Sequence, residues 1–226
     1  MDTYTVQQIL ERVRTGICKN MVKMFEGIDE TPRIKIIDEF GWDNKMCREI
    51  SRKGEVDLLR YAHENGCYWE EWTCHNAALN GYLECLKYAH ENGCEWNTSI
   101  CIFTSMHGHL ECLKYAHENG CPWDNRTCPE ASYYGHLECL KYSHENGCNW
   151  YEDTCHNASR NGHLECLKYA HENGCPWDNM TCFYASISGH LECLKYAVEQ
   201  GCPIEMGTCL IYAKGECKEY MESLTM

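Results

Sequence analysis

The sequence predicts an all-α protein: an α-solenoid of stacked helix–turn–helix repeats. Three observations carry that expectation. The run GHLECLKYAHENGCPW stands word for word at residues 108–123 and again at 162–177. Weaker copies put repeat starts at 54, 81, 108, 135, 162 and 189, a constant period of 27 residues. A fixed period of this size marks supersecondary units that bury their apolar faces against one another. Finally, no stretch alternates apolar and polar residues with period two, so no sheet is expected.

One unit, 108–134, shows why each element forms. His109 to Glu118 reads as a helix, because Leu110, Cys112, Leu113, Tyr115 and Ala116 build an apolar face at spacings of three and four. Glu111 and Lys114, and Lys114 and Glu118, are opposite charges at i,i+3 and i,i+4, which suits a solvated face. Asn119-Gly120 ends the helix, since Gly takes the left-handed C′ position without a Cβ penalty. Cys121-Pro122-Trp123 turns the chain. Asp124 or Thr127 then caps a short helix with Cys128, Ala131 and Ser132 facing inward.

The ends depart from the pattern, as a stack that must shield its terminal faces requires. Thr5-Val6-Gln7-Gln8 fits a capping box. Val6, Ile9, Leu10, Val13, Ile17, Met21, Val22 and Phe25 follow it on one helical face, so residues 1–30 read as a capping helix, with a docking or dimerisation helix as the alternative. Residues 31–53 read as a degenerate first repeat, because GWDNKMCREISRKG at 41–54 parallels GCPWDNRTCPEASYYG at 120–135. Six repeats fill 54–214, and 215–226 form a polar C-terminal cap.

Composition narrows the partners. A formal charge of -14 argues against nucleic acid and anionic membranes, which need a basic surface. There is no long apolar run and no secretory h-region at the N-terminus, so a cytoplasmic protein is expected. The twenty cysteines are then expected as thiols in a reducing compartment. The sequons at Asn97, Asn125, Asn157 and Asn179 reflect turn and helix chemistry in that setting.

The repeating pattern T-C-x-x-A-S/A-x-x-G-H-L-E-C-L-K-Y-A-H-E-N-G-C resembles the ankyrin repeat. Thr127, Ala131, Gly135, His136, Glu138, Lys141 and Gly147 fall on matching positions. The resemblance covers about residues 41–215 and is closest to the shortened, Cys- and Trp-rich repeats of large DNA viruses. It implies a non-enzymatic module that grips another protein in a concave groove, and a viral factor acting on host proteins in the host cytoplasm. An ordinary unit has about 33 residues and a β-turn finger. Here six residues are missing between the Gly of Asn-Gly and the next Thr, so the finger is expected to be reduced or absent.

Cysteines recur in three rows. Cys85, Cys112, Cys139, Cys166 and Cys193 lie in the longer helix; Cys67, Cys94, Cys121, Cys148, Cys175 and Cys202 follow it; Cys74, Cys101, Cys128, Cys155, Cys182 and Cys209 lie in the shorter one. Free cysteine packs as a small hydrophobe, so core filling is the first reading. A metal- or redox-responsive Cys/His protein is the second, since His117/Cys121 and its copies stand at i,i+4. No Cys-x-x-Cys occurs, however, and a structural zinc site needs four ligands. Disulfides between neighbouring units are a further alternative. His109, His136, His163 and His190 open their helices, and Tyr82 takes the same place, which points to packing. Trp69, Trp96, Trp123, Trp150 and Trp177 give way to Ile204, which suggests core anchors more than an exposed stacking platform.

No phosphate loop, nucleophile elbow or HExxH is present, and neither catalysis nor a cofactor is expected. A degradation adaptor ranks lowest, for want of an F-box-like Leu-Pro motif. Recognition is expected from the letters that change between repeats on the shorter helices. These are His75, Asn76, Leu79 and Asn80; Ile102, Phe103, Met106 and His107; Pro129, Glu130, Tyr133 and Tyr134; His156, Asn157, Arg160 and Asn161; and Phe183, Tyr184, Ile187 and Ser188. Their aromatic and Met content suits a protein interface.

Overall fold

The computed structural model describes residues 44–225; the capping helix expected at 1–30 and most of the degenerate repeat expected at 31–53 lie outside them. Among the described residues there are fourteen α-helices and no strand. They belong to two compact units that divide between Trp96 and Asn97. The first contains α1 (Asn44–Lys53), α2 (Val56–Glu64), α3 (Glu71–Leu79) and α4 (Leu83–Glu91). The second contains α5 (Ser99–Met106), α6 (Leu110–Glu118), α7 (Thr127–Tyr133), α8 (Leu137–Glu145), α9 (Glu152–Asn161) and α10 (Leu164–Glu172), then α11 (Asn179–Ser188), α12 (Leu191–Glu199), α13 (Met206–Tyr212) and α14 (Glu216–Ser223).

The repeated letters account for these elements. In α8, Cys139, Leu140 and Ser143 are buried at helical spacing, while Lys141 reaches Glu138 at 2.9 Å on the outer side. The Asn-Gly-Cys word ends the helix. Gly147 has φ 86° and its N–H donates to His144 O at 3.0 Å, while Cys148 N–H donates to Ser143 O at 2.9 Å. That pair of bonds is a Schellman stop. Asn146 Nδ2 donates to Tyr142 O at 2.8 Å, so each letter of the word has a bond to make. Two of the helices, α7 and α11, start behind an aspartate. Asp124 Oδ1 accepts Arg126 N–H at 2.9 Å ahead of α7, and Asp178 Oδ1 accepts Met180 N–H at 2.8 Å at α11. No strand intervenes between hairpins, as the missing residues imply.

Within each unit the helices form two layers. In the second, the shorter helices α5, α7, α9, α11 and α13 pack side by side, and α6, α8, α10, α12 and α14 make the other row. In the first, α1 packs on α3 and α2 on α4. The helices α2, α4, α6, α8, α10 and α12 each supply one fully buried leucine, Leu59 and Leu86 in the first unit and Leu113, Leu140, Leu167 and Leu194 in the second, and α14 supplies Met221. Each contributes roughly 2 kcal/mol by leaving water. Among the described residues every cysteine is buried, in the positions where a core would take valine or alanine.

The recurring histidine before the longer helix is a packing residue. In the second unit a Cβ placed on Gly108, Gly135 or Gly162 would lie 2.5 Å from Nδ1 of His136, His163 or His190 respectively. In the first unit the Tyr82 ring covers Gly54 in the same way. An aromatic ring in van der Waals contact with a glycine explains both the Gly and the His/Tyr exchange.

One expectation needs correction. Cys47 and Cys67 are joined by a disulfide, with Cα atoms 6.5 Å apart. Thiols throughout were expected, with bridges between neighbouring repeats as the alternative. The bond joins the degenerate repeat at 31–53 to the repeat that starts at 54, as that alternative has it, and it closes the α1–α2 hairpin: the Schellman stop after α2 turns Cys67 back, its N–H on Ala62 O at 2.9 Å.

Candidate protein-binding site

The repeated rings are used up in packing. His144 stacks on Trp150 with centroids 3.5 Å apart, Tyr169 of the next repeat meets that indole edge-on, and the Tyr169 hydroxyl lies 3.2 Å from His144 Nδ1. His171, Trp177 and Tyr196 repeat the set, as do His63, Trp69 and Tyr88 in the first unit. Trp123 Nε1 donates to Asn146 O at 2.9 Å. The indoles are half-buried, so they are neither core anchors nor a free platform. This also separates the His–Cys pairs: His117 lies on Trp123 at 4.2 Å, while Cys121 Sγ lies 3.4 Å from Cys101 Sγ. Among the described residues no three His, Cys, Asp or Glu side chains converge on a point that could hold a metal ion. Nor is any described helix long and apolar enough to cross a membrane.

The non-repeating letters have several fates. In the first unit, His75 is buried beside Trp72 at 5.4 Å. Asn76 is committed to packing, its Nδ2 donating to Arg48 O at 3.3 Å. Leu79 is half-buried and Asn80 exposed. In the second unit, Ile102 is 4% exposed and belongs to the core, which removes it from the expected binding face. It follows the buried Cys101 directly on α5. Phe103 and Met106 are half-buried and His107 exposed.

A cleft of about 620 Å³ lies on α7, α9 and α11 of the second unit. Six of the expected residues line it: Pro129, Glu130, His156, Asn157, Arg160 and Tyr184. Asn125, Arg126, Tyr151, Glu152 and Asp153 complete it. These five were not among the expected residues; they lie in the turns and at the helix starts, and all but Asn125 and Glu152, which repeat as Asn179 and Glu71, differ between repeats. Tyr133 and Tyr134 stay exposed beside it, their rings edge-to-face at 4.9 Å. Phe183 and Ile187 are half-buried outside the lining, as is Ser188, with Phe183 meeting Tyr212 at 6.2 Å.

Bonds across the repeats fix the walls. Asn157 Nδ2 donates to Pro129 O at 3.2 Å and ties α9 to α7. His156 Nε2 lies 2.7 Å from Asp178 Oδ1, an oxygen that also accepts the first free N–H of α11. Arg160 is exposed, with its guanidinium 5.4 Å from the centre of the Tyr184 ring, an interaction that leaves its other N–H groups outward. Burial raises the Glu130 carboxyl above the usual carboxylate range, partly offset by Arg126. Arg126 bonds Asp124 at 3.1 Å, and this holds the Asp124 carboxyl below its ordinary value although burial pushes the other way. The cleft therefore presents both signs of charge on an aromatic wall. It can seat a polypeptide segment through hydrogen bonds and ring contacts.

Residues 129–208 match the family model of ankyrin repeats, three copies. The fold is similar to that of the human ASB11 ankyrin repeat domain, with a TM-score of 0.67 at 18% identity, over 78% of this chain and 96% of that one. No curated protein matches by sequence. Residues 129–208 thus match ankyrin repeats, and the fold is that of an ankyrin repeat domain. Domains of this kind are in general protein–protein interaction modules and not enzymes.

Proposed function

We propose that this chain is a non-enzymatic binding module that holds a partner protein on its shorter-helix layer, centred on the cleft of α7, α9 and α11. The observation that carries the reading is a division of labour. The letters that repeat are consumed by core, caps and ring stacks, His156 and Asn157 among them, whereas most of the cleft wall, including Arg126, Pro129, Glu130, Arg160 and Tyr184, is built from letters that differ between repeats. Side chains with no packing role to preserve are the ones free to follow a partner. Exposed Tyr133 and Tyr134 extend the surface with the residue type that anchors interfaces. We further propose that it acts as a viral factor on host proteins in the host cytoplasm. This rests on the similarity to the shortened Cys- and Trp-rich repeats of large DNA viruses.

Affinity capture from host-cell lysate tests the reading. Arg160 is exposed, so Arg160→Glu leaves the fold intact while inverting charge at the cleft mouth. The prey recovered with the natural chain should be lost with Arg160→Glu and retained with Lys141→Ala, which lies in the other layer. Unchanged prey with Arg160→Glu would overturn the assignment of the cleft.

A further inference from the structure

Two of the three cysteine rows meet. The cysteine of each shorter helix and the cysteine after the following longer helix are always 20 residues apart: 47/67, 74/94, 101/121, 128/148, 155/175 and 182/202. The first pair is already a disulfide across one hairpin. Its Cα separation of 6.5 Å falls inside the range that a disulfide spans without moving the backbone. The other hairpins carry the same Schellman stop, with Cys94 N–H on Ala89 O, Cys121 N–H on Ala116 O and Cys175 N–H on Ala170 O, each at 2.9 Å. The partners accordingly approach one another. Cys101 Sγ donates to Cys121 Sγ at 3.4 Å, and Cys74 Sγ and Cys128 Sγ reach the carbonyls of their partners Cys94 and Cys148 at 3.7 and 4.0 Å. In the Cys155/Cys175 and Cys182/Cys202 pairs the turn cysteine raises the helix thiol above its ordinary value.

We propose that these five thiol pairs are oxidation sites, each closing to a disulfide within its own hairpin when a small peroxide reaches the turn cysteine. The order of events follows from exposure and acidity. The helix cysteines of all five pairs are 0% exposed, whereas Cys94, Cys121, Cys148, Cys175 and Cys202 keep 2–5%. Hydrogen bonding from the helix partner lowers the thiols of Cys94, Cys121, Cys148 and Cys202, against the pull of burial, and raises those of Cys74, Cys101, Cys128 and Cys182. The turn sulfur, as thiolate, attacks one oxygen of hydrogen peroxide and the O–O bond breaks. The turn cysteine becomes a sulfenic acid, and the departing hydroxide takes up the proton that the thiol had lost, giving water. The helix thiol then attacks the sulfenic sulfur, the S–S bond forms, and a second water leaves with the helix thiol's proton. Two thiols lose two electrons and the peroxide gains them. The third cysteine row is the internal control: burial pushes Cys139 and Cys166 up to about 12, which keeps them as inert thiols.

The test uses the full chain, fully reduced, desalted and treated with hydrogen peroxide under native conditions. Intact mass should fall by two hydrogens for each pair closed, and peptide mapping should find links joining residues 20 apart. The melting temperature should rise and return on reduction. Cys121→Ser should remove the Cys101–Cys121 link alone, the four other proposed links and Cys47–Cys67 reporting that the variant is folded. Links that form only after denaturation would overturn the proposal. So would oxidation of Cys139 and Cys166 at the same rate as the pairs.

Discussion

Replacing Gly135 by alanine separates backbone strain from packing. Gly135 has φ 76° and Gly147 has φ 86°, so both sit in the left-handed region. There an L residue costs about 1–2 kcal/mol, partly offset by roughly 0.4–1 kcal/mol of lost unfolded-state freedom. At Gly147 nothing lies within 4 Å of an added Cβ, so Gly147→Ala should cost only about 1 kcal/mol net. At Gly135 the same carbon would sit 2.5 Å from His163 Nδ1 and 2.7 Å from Cε1. The ring must move, and forced overpacking of this kind costs about 1–3 kcal/mol more. Gly135→Ala should therefore cost about 2–4 kcal/mol in total. Urea denaturation followed by far-ultraviolet circular dichroism measures both variants. Adding His163→Ala should recover the packing part, so that the double variant falls short of the sum of the singles by about 1 kcal/mol or more. Equal costs at Gly135 and Gly147, or strict additivity with His163→Ala, would refute the packing role of this histidine row.

Other perturbations test separate layers of the account. Leu140→Ala empties a fully buried site and should cost about 2–5 kcal/mol by denaturation, whereas Lys141→Ala beside it breaks only an exposed ion pair and should stay within about 0.5 kcal/mol. Asp178→Ala removes the N-cap of α11 and the His156 partner together and should cost about 1–2 kcal/mol. Burial lowers the folded-state basicity of His90, His136 and His144, so below about pH 6.5 the unfolded chain takes up protons that the folded chain resists. Stability should fall from about pH 7 to 5, read as a lower melting temperature at pH 5.5 than at 7.5. His144→Gln should narrow that gap, and an unchanged gap would count against the histidine origin.

The helix hairpins were legible because their signals are local. Asn146-Gly147-Cys148 makes bonds that span at most five residues, and Leu140 lies on a face that three- and four-residue spacing reveals. Cysteine as core filler follows from its chemistry. What the sequence hid depends on how repeats meet. Nothing local distinguishes Ile102, which is buried, from Phe103, which is half-buried. Asn157 looks like a polar surface letter until its amide is found on a carbonyl 28 residues away. The ring stacks and the 20-residue sulfur pairs were written in the period itself, but only the hairpin stop brings each pair together.

The two layers of the second unit differ in how freely copies can be exchanged. Suppose residues 135–161 were excised, one whole period. His163 would meet Gly108 where His136 now does, and Trp123 would find Asn173 in place of Asn146, like for like. On the other layer α7 would face Tyr184 instead of Asn157, and the tie to Pro129 O would vanish. Duplication or loss of a copy is thus almost invisible to folding and highly visible to recognition. A gene built this way can lengthen by unequal crossing-over and acquire a new recognition surface at each step without having to evolve a new scaffold.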